Sequence, residues 1–198
     1  MNGIKFHYEA LAGTEDRIVS RSARNYAAAA GYTHGDALDV FATRADSPCT
    51  SRQHSRKCHR RSTALDRHSR QPSKNATLNG REIEWIEANA FDLLKDYSSA
   101  GRQYDTIVVD PPAFAKTKKN LETALRGYKE LNLRALKMLQ PGGILVSCSC
   151  SYHVSEAEFL EVVARCRARY APKYSAAGEA RPVEETTQSC LLCPKPAI

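Results

Sequence analysis

The chain has 198 residues and a net charge of +7, long enough to bury one core without disulfide or metal staples. No apolar run approaches the roughly 18 residues of a membrane span, and the opening Met1-Asn2-Gly3-Ile4-Lys5-Phe6 has no apolar signal core, so the sequence predicts a cytoplasmic protein with no membrane partner. Seven cysteines form no secreted framework, and the notional zinc set Cys49, Cys58, Cys190 and Cys193 fits no standard module, so no metal is expected.

In chain order, residues 4–11 alternate as a strand does, and 25–31 read as a short helix closed by Gly31. Residues 38–41 form an apolar strand, and the segment after it is anomalous. From 42 to 74 there is no Ile, Val, Met, Phe, Tyr or Trp, one Leu, nine Arg or Lys and two Asp, so this segment carries the whole net charge and its composition predicts no packed element. Strand character returns at 83–86, a helix at 90–97, and a strand at 106–109 that is apolar on both faces, as in parallel sheets. Apolar spacing of three and four predicts a helix over 121–139, stopped by Pro141-Gly142-Gly143. A buried strand comes next at 144–147 and a helix at 155–165. Alternating strands and helices predict an α/β fold, a doubly wound, mostly parallel, Rossmann-like sheet with its first β-α-β unit disrupted. Residues 1–36 lead into the sheet, 37–165 form the catalytic unit, and 166–198 are a divergent tail. In such sheets ligands bind at the carboxyl ends of the strands, which here carry Asn89, Asp110-Pro111-Pro112 and Cys148-Ser149-Cys150.

Asp110-Pro111-Pro112-Ala113-Phe114 is the sharpest motif. Its prolines hold carbonyls rigid and donate no hydrogen bond, which suits presentation to an exocyclic base amine, and Phe114 offers a ring for stacking on a base. A plain strand end turned by Pro-Pro reads equally well. Cys150 comes after the last buried strand and precedes a helix, where a thiol can have a lowered pKa and act as nucleophile; a small buried hydrophobe is the bland alternative, and Cys148, two residues deeper, is assigned to the core. Lys116, Lys118 and Lys119 suit phosphate or a solvated loop. Gly127, inside Arg126-Gly127-Tyr128-Lys129, costs roughly 1 kcal/mol relative to alanine, which points to close packing or a ligand on that face. Asn89 reads first as a helix cap.

The stretch FDLLKDYSSAGRQYDTIVVDPPAFAKTKKNLETALRGYKELNLRALKMLQPGGILVSCSCSYHVSEAEFLE resembles the catalytic half of class I S-adenosylmethionine-dependent ribosomal RNA methyltransferases, the large-subunit cytosine-carbon-5 group in particular. The resemblance runs from 75 to 163 and includes NGIKFHYEALAG and ALDVF. It implies S-adenosyl-L-methionine as cofactor and large-subunit ribosomal RNA as partner, and it leaves the oligomeric state open. It implies Cys150 as nucleophile with Asp110 beside it, and Asp39, Asn89, Ala90, Asp110 and Pro111 on the cofactor. Pro112, Phe114, Lys116, Arg126, Tyr128 and Lys129 fall to the substrate side, with Phe114 and Tyr128 as stacking partners for an unstacked base. Asn89 stands where the family usually has Asp, keeping an acceptor but losing a charge. The family also carries an amino-terminal RNA-binding domain, so the chain reads as a fragment.

The family's Gly-rich turn and ribose-binding acid, expected after Phe41, are missing. Reading residues 42–52 one base out of register permits C-Y-Q-G-G-F-A-L-H-L-A, and 61–69 permits V-D-S-S-R-P-A-L, with an acid on a second strand. Residues 14–24, displaced the other way, permit Q-K-T-G-L-F-L-D-Q-R-E. Segments 14–24 and 42–74 therefore read as frameshifted, and the chain as written is expected to bind cofactor weakly or not at all, with little activity. Methylation of an exocyclic amine, which needs no cysteine, is the nearest alternative; a non-catalytic RNA-binding fragment working through 42–74 is another.

Overall fold

The computed structural model describes residues 32–41, 58–62, 83–115, 117–170, 181–182 and 189–194, with 58–62, 181–182 and 189–194 as backbone only. The strand expected at 4–11 and the helix at 25–31 lie outside them, as does Lys116. Seven strands, β1 (Ala37–Asp39), β2 (Cys58–Ser62), β3 (Ile83–Glu87), β4 (Tyr104–Val109), β5 (Leu139–Ser149), β6 (Arg181–Pro182) and β7 (Ser189–Pro194), form one sheet in the order β3-β2-β1-β4-β5-β7-β6. The first five run parallel, and β7 is antiparallel to both its neighbours. Among the described residues three α-helices, α1 (Ala90–Ser99), α2 (Leu121–Met138) and α3 (Glu156–Tyr170), form a layer in which α2 packs on both others. The expected mostly parallel α/β sheet is present, and its order reverses at β1 as in a doubly wound sheet.

Local chemistry explains the boundaries. Asn89 Oδ1 accepts from Phe91 N at 2.9 Å and starts α1. The helix runs two residues past the expected end because Gly101, at φ 69°, lets Arg102 N reach back to Tyr97 O at 3.1 Å. Ser155 and Glu158 cap α3 reciprocally: Ser155 N donates to Glu158 Oε2 at 2.9 Å and Glu158 N to Ser155 Oγ at 3.3 Å. Helix α2 ends at Met138, before Pro141-Gly142-Gly143, and the chain passes directly into β5. Pro-Gly-Gly instead makes the irregularity in pairing between Tyr104↔Leu139 and Thr106↔Ile144. A Cβ on Gly143 would sit 2.8 Å from the Asp105 carbonyl, so this close crossing of backbones requires glycine.

Leu38, Ile107, Val109, Tyr128, Leu131 and Phe159 are among the side chains that fill the core between sheet and helices.

Two expectations fail here. The composition of 42–74 predicts no packed element, yet Cys58–Ser62 pairs with β1 and β3, along its whole length with β3. Strand pairing uses backbone N–H and C=O groups, which all five residues of Cys58–Ser62 carry, and an open slot between two parallel strands supplies both partners. The region after 165 is not merely a tail, since residues 189–194 pair with β5. The sheet also separates the notional zinc ligands: β2 and β7 lie four strand positions apart, about 19 Å, which keeps Cys58 from sharing an ion with Cys190 or Cys193. Among the described residues no helix is long and apolar enough to cross a membrane.

Candidate active site at the carboxyl edge

The parallel register fixes which residues meet. Asp39 pairs with Val108 and Val109 with Ser147, so the chain leaves β1, β4 and β5 along one edge, bringing Asp39, Asp110 and Cys150 there; Asn89, two residues past β3, stands at the same edge.

The β4–β5 corner is the most heavily built part. The Cys150 thiol donates to the Pro111 carbonyl at 3.3 Å. Next to it, Ser151 Oγ accepts from Phe114 N at 2.9 Å and Ala115 N at 3.2 Å. The same oxygen lies 2.9 Å from Tyr128 Oη, which also receives the Ser149 hydroxyl at 3.0 Å. One serine thus ties three segments together: the Pro-Pro loop, α2 and the turn that carries the thiol. The Phe114 ring lies between Phe91 (centroids 6.1 Å) and Tyr128 (5.0 Å) and over Gly127, where an added Cβ would touch it at 3.4 Å. Of the two readings of Gly127, close packing is what the structure displays.

The thiol is not the low-pKa group that the sequence suggests. Burial, and secondarily the Asp110 carboxylate, push Cys150 up to about 11. The reason is spatial: α3 begins at Glu156, with the turn 151–155 between the thiol and the helix, so the helix terminus does not offset desolvation. Tyr128 is corrected too. It is 0 % exposed, with its ring against Phe114 and Phe159, and burial raises its hydroxyl pKa; a residue so enclosed holds the site together and does not stack on an incoming base. Cys148, at 1 % exposure, lies in the core as expected.

At the β1 and β3 end of the edge, Asp39 is 1 % exposed and its Oδ1 accepts from Phe41 N at 3.2 Å. Asn89 is exposed and its Oδ1 serves the cap. The acceptor expected for a ligand is therefore used by α1, and the amide NH2 is what Asn89 can still offer. Ala90 is buried in the first turn, Pro111 is buried and Pro112 is exposed. Arg126 and Lys129 are exposed on the outer side of α2, Arg126 paired with Glu122 at 3.4 Å. Sequence reasoning missed Ser151. Its signal is faint, a small hydroxyl directly after Cys150, and the partners lie 23 to 37 residues away.

This edge and this strand order define a class I methyltransferase fold. SMU.776 in complex with SAH superposes with a TM-score of 0.64 at 14% identity, covering 83% of this chain and 47% of that one. NSun6 from Pyrococcus horikoshii with SFG gives 0.59 at 17%, covering 87% and 50%. At these identities the likeness establishes the fold.

Sequence relatives are more particular. The chain is 44% identical over 105 residues to ribosomal RNA large subunit methyltransferase I of Aeromonas salmonicida, covering 52% of this chain and 26% of the relative. It is 45% identical over 87 residues to the protein of that name from Shewanella frigidimarina, covering 44% and 22%. About half of the chain is therefore homologous to large-subunit ribosomal RNA methyltransferases, and the match spans about a quarter of their length. No protein-family model matches.

Proposed function

We propose that this chain is catalytic sequence from an S-adenosylmethionine-dependent methyltransferase of large-subunit ribosomal RNA, acting on cytosine carbon 5 in the cytoplasm. The observation that carries the proposal is the Cys150 thiol 3.3 Å from the Pro111 carbonyl, which sets a nucleophile against the Asp-Pro-Pro loop at the ligand-binding edge.

The described residues at this edge fit the cofactor in part. Asp39, the Asn89 amide and the start of α1 at Ala90 suit its polar adenosine end, and the Asp110 carboxylate suits a sulfonium. When bound, the cofactor supplies a methyl group on positively charged sulfur. The chain's own task is to make carbon 5 of the cytosine nucleophilic, which Cys150 does by adding to carbon 6. With its pKa pushed up to about 11 the thiol must lose its proton as it attacks, so its proton acceptor is part of the step. After methylation a base takes the carbon-5 proton, its electron pair restores the 5,6 double bond, and Cys150 leaves as thiolate. Pro112 and the outward part of Phe114 line the approach, while Ser151 and Tyr128 hold the loop against the thiol.

The test is covalent trapping of RNA containing 5-fluorocytosine, whose fluorine cannot leave as a proton does, by protein in which 14–24 and 42–74 have been restored to frame. We expect a stable adduct at Cys150, lost in Cys150→Ser; an adduct elsewhere, or none with methylation retained, refutes it. The protonated thiol supports a second reading, exocyclic-amine methylation, which predicts turnover in Cys150→Ser. We also propose that 14–24 and 42–74 are frameshifted. The strand at 58–62, between β1 and β3 where the shifted reading puts its second strand, supports this; resequencing that confirms every base, with related genes encoding the same basic stretch, ends it.

A further inference from the structure

Outside residues 42–74 the chain's charge sums to zero, but the described surface does not mix its charges evenly. Helix α3 has Glu156, Glu158 and Glu161 in its first half and Arg165, Arg167 and Arg169 in its second. Helix α2 turns Tyr128, Leu131 and Ala135 inward, which leaves Arg126, Lys129, Arg134 and Lys137 along its outer side. The two helices each come after a parallel strand, so both run back from the carboxyl edge, and their basic ends lie together. Between them and the end of α1 is an open groove of about 360 Å³, lined by Arg126, Lys129, Arg134, Lys137 and Arg169, with Glu130 as its one acid and Tyr170 at its end.

Most of this charge is uncommitted. Glu130 holds Arg134 at 2.9 Å and Glu122 holds Arg126 at 3.4 Å, whereas Lys129, Lys137 and Arg169 have no ion pair among the described residues. A concave wall in which basic side chains outnumber the single acid concentrates positive potential in a way that scattered surface lysines do not. From residue 126 to 137 the helix rises about 16 Å, enough to follow several consecutive phosphates of a nucleic acid strand.

We infer that this groove is a second RNA contact surface, gripping the phosphodiester backbone on the outer face of the helical layer while the target base is held at the carboxyl edge. The inference rests on the reading of the chain as an RNA-modifying protein. Phosphate contacts fix register and orientation without reading sequence, so the groove positions the strand and leaves selection of the base to the site at the carboxyl edge. None of its lining residues belongs to the basic segment 42–74.

The test uses the full 198-residue chain and a fluorescent 20-nucleotide single-stranded segment of large-subunit ribosomal RNA, titrated between about 50 and 200 mM KCl, a range over which phosphate contacts dominate the change in affinity. The triple variant Lys129→Gln, Lys137→Gln and Arg169→Gln removes three exposed charges and leaves 42–74 unchanged. With about 0.7 of a counterion released per phosphate contact on a single strand, the slope of log affinity against log salt should lessen by about 2. The charge-keeping triple Lys129→Arg, Lys137→Arg and Arg169→Lys should retain the parental slope. Equal slopes for the parent and the Gln triple, or no RNA binding by the parent, overturn the inference. Trapping at Cys150 is scored separately in the frame-restored protein: a changed slope without trapping keeps the groove and removes the cytosine reading, and trapping with an unchanged slope does the reverse.

Discussion

The two corners of the carboxyl edge are built differently. At the β4–β5 corner the hydrogen bonds join residues 23 to 39 positions apart: Cys150 to Pro111, and Ser151 to Phe114, Ala115 and Tyr128. At the β1–β3 corner one side-chain oxygen of Asp39 and one of Asn89 each accept from an amide two positions away. The first corner is a tertiary assembly that exists only when three segments are in place. The second has side chains that organise their own turns. The surroundings of Cys150 therefore depend on the fold as a whole, whereas the β1–β3 corner supplies polar groups at a strand end and a helix start.

The sharpest way to break this contrast is at Cys150. In frame-restored protein, Cys150→Ser should lower methyl transfer by several orders of magnitude, measured with radiolabelled methyl donor, because the covalent route disappears; near-normal transfer would move the chemistry away from the tertiary corner. Next comes Ser151→Ala, which leaves the Phe114 and Ala115 amides without their acceptor. It should cost about 2–3 kcal/mol in urea unfolding, and Ser151→Thr should recover much of it. At the local corner, Asn89→Ala loses one cap and should cost about 1 kcal/mol. If the two losses were equal, the corners would not differ as described. The smallest effect is electrostatic. Asp110→Asn removes the lesser of the two causes that raise Cys150, so its pKa should fall somewhat below about 11 while burial keeps it above an ordinary thiol. Site-resolved alkylation against pH measures this: the rate should climb with pH toward that value, and the variant's curve should lie at lower pH.

Much of the fold is legible in the sequence because its signals are local. Double-sided apolar character at 106–109, the three-and-four spacing of α2 and the Ser155–Glu158 cap each announce themselves within one element. The hidden parts depend on partners. Strand β2 lacks large apolar residues and forms because β1 and β3 leave a slot; β7 reads as tail because its reason to be extended is the side of β5. In the site, Asp110 and Cys150 stand out as residue types, but the raised pKa of Cys150 is set by burial, which no spacing rule reports. Tyr128 belongs to the three-and-four apolar spacing of α2, which predicts its burial, and it is the family resemblance that assigns it to a base; the structure follows the spacing.

The reversed strand β7 has a consequence for where the molecule can be cut. Residues 189–194 cover the flank of β5, pairing opposite Ile144 through Ser149, so the segment ending beside Cys150 owes one whole row of its backbone bonds to a late stretch of the chain. Stopping translation before Ser189 would bare that row of amides and carbonyls, and bared rows of this kind recruit strands from other molecules. A shortened protein would then self-associate while retaining every residue of the β4–β5 corner.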